Sequence, residues 1–176
     1  MNQFQTVNIK DFNVNPFTLI GNEWMLITAA KKDGTVNTMT ASWGGLGVMW
    51  NTNVAYAVVR PTRYTKEFMD AADSFSLSFL DHKTYAKELA HLGSVSGRDE
   101  DKIAKMNLTI EHQDRVPFFA EASKVLICRK MFVQPMQPES FVDPQTDAKF
   151  YPLKDYHTLY IAAIEGVLER NGVGVR

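Results

Sequence analysis

The chain has 176 residues, of which 45% are apolar and 22% charged, and this composition is typical of a single globular domain, expected here over residues 1–176. A formal net charge of −1 argues against broad nucleic-acid binding, which usually requires a basic surface. The single cysteine excludes an internal disulfide framework, and no apolar run approaches the ~20 residues of a membrane span. Since no basic segment followed by an apolar run opens the sequence, we expect a cytoplasmic protein.

Hydrophobic patterning and turn residues divide the chain into strands and short helices. Asp33-Gly34 is a hairpin-turn dipeptide, Pro61 ends a strand because it lacks the donor that a ladder needs, and Gly93 is read as a helix stop. In chain order, the predicted elements are strands over residues 23–31, 36–42 and 53–60, a helix over 64–72, a strand over 74–80, helices over 84–92 and 99–106, and strands over 125–133 and 157–168.

The order of these elements lacks regular alternation of strand and helix, which argues against a doubly wound parallel sheet. The pattern predicts a mainly β fold, a largely antiparallel β-barrel with helices packed outside it. Four prolines (Pro135, Pro138, Pro144 and Pro152) lie between the last two strands, so this segment is expected to run over the surface.

Two neighbouring stretches predict a site for a phosphorylated cofactor. The run from Asn37 to Gly47 is rich in hydroxyls and ends in glycines, and the run from Arg60 to Thr65 holds two arginines three positions apart. Hydroxyls, main-chain N–H groups and guanidinium forks all bind phosphate. Because Trp50 stands where a dinucleotide fingerprint would need its third glycine, the glycines are read as a bend or bulge at a barrel corner. The two arginines are read equally well as solvated charges at a strand end.

Other reactive residue types give weaker signals. The four histidines are scattered without metal-ligand spacing, so no bound metal is expected. Cys128 lies in an apolar strand and is interpreted as a packing residue. The segment from Ser96 to Lys102 reads as a loop and helix start, and spacing alone does not show whether Lys102 reaches a ligand. His157 precedes an apolar strand, for which packing or capping is favoured over catalysis.

Three motifs in order resemble the flavin reductase-like, or flavoredoxin, family. They are the segments 37–47, 59–65 and 96–102, and two later segments, 126–129 and 155–157, are similar as well. The resemblance covers residues 17–168 and implies an FMN-binding split β-barrel, usually a homodimer with flavin at or near the subunit interface. FMN is the implied cofactor, with FAD as an alternative, and NADH or NADPH is the implied electron donor.

The resemblance also implies roles for individual residues. The segment from Thr38 to Trp43 would line the flavin, the segment from Arg60 to Thr65 would hold its phosphate, and the loop from Ser96 to Lys102 would approach the flavin from the same or the partner subunit. The implied cofactor-binding residues are Met39, Thr40, Ala41, Ser42, Trp43, Arg60, Arg63, Thr65, Ser96, Gly97 and Lys102, with His157 as a weaker candidate beside the open flavin face.

Several functions fit these motifs. The favoured one is an NAD(P)H-dependent flavin reductase that passes hydride from nicotinamide to FMN and then reduces a second acceptor, which is free flavin, a partner oxygenase or an iron–sulfur protein. The first alternative is a flavoredoxin-type FMN electron carrier without its own nicotinamide site. An oxidase of the pyridoxamine-phosphate type and a non-catalytic protein that keeps the fold are further alternatives.

Overall fold

The computed structural model describes residues 3–172. In chain order, the strands are β1 (Phe4–Thr6), β2 (Met25–Ala30), β3 (Val36–Ala41), β4 (Gly44–Met49), β5 (Thr52–Val59), β6 (Ser74–Phe79), β7 (Ile110–Gln113), β8 (Val116–Phe119), β9 (Lys124–Pro135) and β10 (Thr158–Arg170). The helices are α1 (Pro16–Gly21), α2 (Thr65–Ala71), α3 (His82–Ser94), α4 (Lys102–Lys105) and α5 (Pro144–Phe150). Within the described range, no helix is both long and apolar enough to span a membrane.

The main sheet is antiparallel and curls into a barrel. Its strand order is β3-β2-β6-β9-β10-β5-β4, with β1 added to β10. The two edge strands, β3 and β4, are separated in the chain only by Ser42 and Trp43. Two residues cannot cross seven strands, so the sheet must curve until its edges approach each other at this point. Register shifts between β9 and β10, at Ile161/Ala162 and at Ile164/Gly166, support that curvature. The mainly β barrel predicted from the sequence is confirmed.

Apolar side chains fill both the inside of the barrel and one outer face. The inner core includes Met25, Phe75 and Tyr160, all essentially inaccessible to solvent. The outer core packs α3 and the β7–β8 hairpin against the sheet. That hairpin has no signal that we recognised in the sequence, and it explains why the polar face of β6 is also buried. Ser76 Oγ donates to the Pro117 carbonyl at 2.6 Å, which satisfies the hydroxyl beneath the hairpin.

Hairpin and strand predictions agree with the structure, whereas two readings of glycine are wrong. β2 and β3 pair as predicted around the Asp33-Gly34 turn. The glycine run forms strand β4 instead of a bend. Gly93 does not end α3, which continues to Ser94. It is the position where the helix packs on β3, since a Cβ there would lie 3.2 Å from Thr40 Cβ.

The helix after α3 is shorter than the sequence predicts. The proline-rich segment after β9 is more structured than predicted. The helix predicted over 99–106 is only α4, one turn long, which Asp101 caps by accepting from Ala104 N. The segment after β9 contains α5, and Tyr151 at its end is 3% exposed. This segment therefore forms part of the folded structure beside the barrel. Cys128 is buried as predicted, and burial raises the pKa of its thiol.

Candidate functional site

Three adjoining clefts form a groove around the end of β3. The His157 cleft, about 230 Å³, is lined by Met39, Thr40, Ala41, Ser42, Trp43, Val58, Arg60, Arg63 and His157. The Lys102 cleft, about 240 Å³, is lined by Thr62, Arg63, Tyr64, Thr65, Ser94, Val95, Ser96 and Lys102. The Trp24 cleft, also about 240 Å³, is lined by Trp24, Thr40, Ala41, Ser42, Leu89, Ala90, Gly93 and Ser94. Shared lining residues join the three into one groove.

The structure brings almost all of the residues proposed from the sequence into this groove. Met39, Thr40, Ala41, Ser42, Trp43, Arg60 and Arg63 line the His157 cleft, and Arg63 continues into the Lys102 cleft with Thr65, Ser96 and Lys102. Gly97 lines neither cleft. It lies directly against Asn37, because a Cβ at this position would overlap the Asn37 carboxamide. The loop from Ser96 to Lys102 thus reaches the groove within one chain.

Two cations lie at one end of the groove, and among residues 3–172 neither of them pairs with a carboxylate. Lys102 is 3% exposed, and its Nζ donates to the carbonyls of Leu92 and Val95, both at 2.9 Å. Arg63 Nη1 donates to the Gly93 carbonyl at 2.6 Å. Burial, with Arg63 nearby as a second cause, lowers the pKa of Lys102 to about 8, and burial also lowers the pKa of Arg63. Both side chains cap the C-terminus of α3, but no carboxylate among residues 3–172 neutralises their combined positive charge.

The Thr65 hydroxyl and the contact between Gly97 and Asn37 complete the Lys102 end of the groove. Thr65 Oγ1 accepts from Asn37 Nδ2 at 3.0 Å, so the Thr65 hydroxyl keeps its own proton for donation. Thr65 is also the first residue of α2. The contact of Gly97 with Asn37 brings the 96–102 loop against the same amide. Two cations and a hydroxyl donor in one partly closed cleft form a set of groups that suits a phosphate dianion.

Aromatic rings form the opposite end of the groove. The Trp43 ring lies 5.2 Å from the His157 ring and 5.3 Å from the Phe150 ring, and Trp43 remains 42% exposed. Burial first, and the charge of Arg60 second, lower the pKa of His157 to about 4, so its imidazole is neutral at pH 7. His157 Nδ1 lies 2.8 Å from the Tyr151 hydroxyl. The same hydroxyl lies 3.5 Å from Met136 Sδ, and the bond to Nδ1 holds the orientation of the His157 ring.

Arg60 has different surroundings from Arg63. Its Nη1 forms an ion pair with Asp155 Oδ2 at 2.6 Å, and its Nη2 donates to the Phe150 carbonyl at 2.8 Å. The Arg60 guanidinium holds the pKa of Asp155 below its usual range through this hydrogen bond. The charge of Arg60 is therefore neutralised within the chain, whereas that of Arg63 is not.

Some residues of the groove lie outside the motifs found in the sequence. Leu89, Ala90 and Ser94 are brought there by the packing of α3 on β3, where Thr40 Oγ1 donates to the Leu89 carbonyl at 2.6 Å. In the sequence, only the helical spacing of apolar residues in α3 indicates that this helix packs on the sheet. Trp24 has a φ of 67°, which is unusual for an aromatic residue and has no sequence signal. Phe150 and Tyr151 belong to the segment that was expected to lie on the surface.

This arrangement can hold an elongated ligand with an anionic end and a planar end. The Lys102 cleft suits a dianion, and the Trp43–His157 wall offers a flat aromatic surface beside the planar end of the ligand. The end of β3 lies between them and offers main-chain groups to the middle of the ligand. The donor set therefore fits a phosphorylated cofactor with an aromatic ring system, such as FMN.

Comparisons with known proteins identify a family and a fold for this chain. The model of the family described as "flavin reductase like domain" matches residues 18–175. An FMN-binding domain of a flavin reductases-like enzyme from Shewanella baltica is structurally similar, with a TM-score of 0.69 at 19% identity over 98% of this chain and 80% of that one. Flavoredoxin from Desulfovibrio vulgaris gives a TM-score of 0.66 at 19% identity, covering 87% of this chain and 72% of that one. The styrene monooxygenase flavin reductase from Pseudomonas putida gives 0.62 at 14% identity, covering 86% and 80%. A search of curated proteins gives no significant match.

Proposed function

The chain belongs to the flavin reductase-like family, and from that premise we propose that it is an FMN-binding oxidoreductase in which NADH or NADPH reduces FMN and a second acceptor then reoxidises it. Arg63, Lys102, Thr65 and Ser96 would hold the phosphate. The main chain and side chains from Met39 to Trp43 would line the flavin, and the His157 cleft would admit the second substrate to the open flavin face.

The observation that carries this proposal is the uncompensated charge of Lys102 and Arg63. A folded protein seldom buries a lysine without an acidic partner unless the positive charge binds another group. The pKa of Lys102 is lowered because burial removes water from its charged form. A bound phosphate dianion would stabilise that charged form. No described carboxylate competes for this position, so the site is electrostatically suited to an anion from outside the chain.

The residues of the groove have binding and positioning roles. Bound FMN supplies hydride acceptance and electron transfer, so the protein needs no acid–base constellation of its own. Because His157 is neutral at pH 7, it contributes a flat, uncharged ring. Trp43 offers a half-exposed ring on which a planar second substrate can stack.

Anaerobic absorbance of the FMN-loaded protein tests the proposal. Addition of NADH or NADPH is expected to bleach the flavin band near ~450 nm, and the nucleotide that acts faster identifies the donor, since the band belongs to the cofactor's own chemistry. Bound flavin that neither nucleotide bleaches would contradict the reductase and favour an electron carrier that receives electrons from another protein.

We also propose that the protein forms a homodimer through an exposed apolar patch on the β4–β5 and β9 region. Trp50 is 55% exposed, and its ring centroid lies 6.2 Å from that of Phe132. Val48, Met131 and Val133 are further exposed apolar residues of β4 and β9. Exposed aromatic side chains of this kind are typical of protein interfaces.

Replacing Trp50 with glutamate is expected to convert the dimer into a monomer, because it introduces an unpaired charge into the patch. Light scattering after gel filtration measures the molar mass. The matched control is Val142→Glu, since Val142 is fully exposed in a loop and lies outside the patch. A wild-type protein that is already monomeric, or a Trp50 variant that stays dimeric, would contradict this interface.

A further inference from the structure

Arg60 makes three contacts with one short segment that is distant in sequence. Its Nη1 binds Asp155 Oδ2 at 2.6 Å, and its Nη2 donates to the Phe150 carbonyl at 2.8 Å. The guanidinium carbon also lies 5.1 Å from the centroid of the Tyr151 ring. All three partners lie between residues 150 and 155, at and just after the end of α5. A guanidinium with two directed bonds and one stacked ring has little freedom to turn toward another ligand.

The segment that Arg60 holds is one wall of the His157 cleft. Phe150 packs edge-on against Trp43, with ring centroids 5.3 Å apart. Tyr151 bonds to Nδ1 of His157, and both side chains are buried. This bond holds the His157 ring in place against Tyr151. Arg60 follows the end of β5, so its side chain connects the barrel to this wall.

Charge separates Arg60 from the phosphate-binding candidates. Asp155 neutralises Arg60, and its second oxygen, Oδ1, is buried without a hydrogen-bond partner among the described residues. Turning Arg60 toward a phosphate would leave the whole Asp155 carboxylate unpaired beside the incoming anion. Arg63 and Lys102 have no carboxylate partner among the described residues, so binding a phosphate would break no ion pair.

We propose that Arg60 is a positioning residue that fixes the segment 150–157 as the wall for the second substrate, and that it does not bind the flavin phosphate. This goes beyond the proposed function and rests on it only for the identity of the occupant of the cleft. Arg60 acts through Phe150 and Tyr151, which set the ring positions of Trp43 and His157.

The test compares the double variant R60M/D155N with R63M. The double variant removes both charges, so no buried carboxylate is left unpaired. FMN titration is expected to give a dissociation constant within about 3-fold of wild type for R60M/D155N, and about 10-fold or more above it for R63M, since a contact to a charged group contributes at least that factor. In the FMN-loaded enzyme, R60M/D155N is expected to raise KM for the nicotinamide with a smaller change in kcat.

NMR titration of His157 in the flavin-free protein supplies a second readout that needs no activity. Arg60 lowers and Asp155 raises the pKa of His157, so removing both leaves burial as the main cause of its shift. If Arg60 positions the wall, the pKa of His157 is expected to rise from about 4 toward its usual value of 6.5 as the ring becomes exposed. R60K, which keeps the charge but lacks the fork, is the second variant in case the double variant does not fold; it is expected to keep FMN affinity and to give a smaller rise.

Two results would overturn the proposal. An FMN affinity that falls as far in R60M/D155N as in R63M would make Arg60 a phosphate ligand. An unchanged His157 pKa in both Arg60 variants would mean that Arg60 does not position the wall. If the wild-type protein binds no FMN at all, the proposed function fails, while the His157 titration still tests the positioning role.

Discussion

Replacing Lys102 or Arg63 with methionine is expected to weaken FMN binding by about 10- to 100-fold each, because each removes a charge-assisted contact to the phosphate. Methionine keeps much of the apolar stem, so the packing around α3 is largely preserved. Fluorescence titration of FMN measures the loss. Lys105→Met is the matched control, since Lys105 lies on the same helix but is exposed and pairs with Glu100. Its FMN affinity is expected to stay at the wild-type value.

The pH dependence of FMN affinity adds a signature of Lys102. With a pKa of about 8 in the flavin-free protein, Lys102 is mostly protonated at pH 7 and loses its proton as the pH rises through 8. A dianion prefers the protonated form, so FMN affinity is expected to fall above pH 8 in the wild type. K102M lacks the titrating group and is expected to lose this decline, whereas Lys105→Met keeps it. Equal affinities and equal pH profiles in all three proteins would contradict the phosphate assignment.

Replacing Gly44 with alanine is expected to lower the free energy of unfolding by about 2–4 kcal/mol, because the new methyl group meets backbone instead of a flexible side chain. A Cβ on Gly44 would overlap the Tyr56 carbonyl oxygen, and the φ of Gly44 is 156°. Gly44 also pairs with Ala57 and directly follows Trp43. Relief of the overlap would shift the start of β4, where the two edges of the sheet approach.

The matched control is Gly45→Ala, one position further along β4. A Cβ on Gly45 would lie 3.4 Å from the Tyr56 ring, which is an ordinary contact, so its effect is expected to be below about 1 kcal/mol. Denaturant unfolding of the flavin-free proteins measures both variants. Similar stabilities for the two alanine variants would contradict the close approach at Gly44.

The residues that the motifs proposed lie together around the groove because each motif is a short local run: the end of β3, the turn from Arg60 to Thr65 and the 96–102 loop. Within β3 the hydroxyls of Thr38 and Thr40 donate to main-chain carbonyls of the chain itself. Spacing could not show that Lys102 turns inward, since a one-turn helix has no periodicity, and only the positions of the Leu92 and Val95 carbonyls reveal it. The same limit applies to Arg60, because its partner Asp155 is 95 positions away.

The misread glycine run has a physical explanation. Glycine is rare in strands because it offers no side chain to pack, so the sequence favoured a bend. In the structure the Tyr56 ring of the neighbouring strand covers the glycines of β4, lying 3.4 Å from the Cβ positions of both Gly45 and Gly47. The Tyr56 ring thus packs over Gly45 and Gly47 in place of their missing side chains, and a sequence pattern within β4 does not show this cross-strand contact.

Titration of the same protein with FMN and with riboflavin tests the central claim most directly, because the two ligands differ only in the phosphate. If Lys102, Arg63 and Thr65 form the phosphate site, FMN is expected to bind at least about 100-fold more tightly than riboflavin at pH 7, as two charge-assisted contacts would require. Equal affinities for FMN and riboflavin would contradict the account, since the uncompensated charge in the Lys102 cleft would then have no part in holding the cofactor.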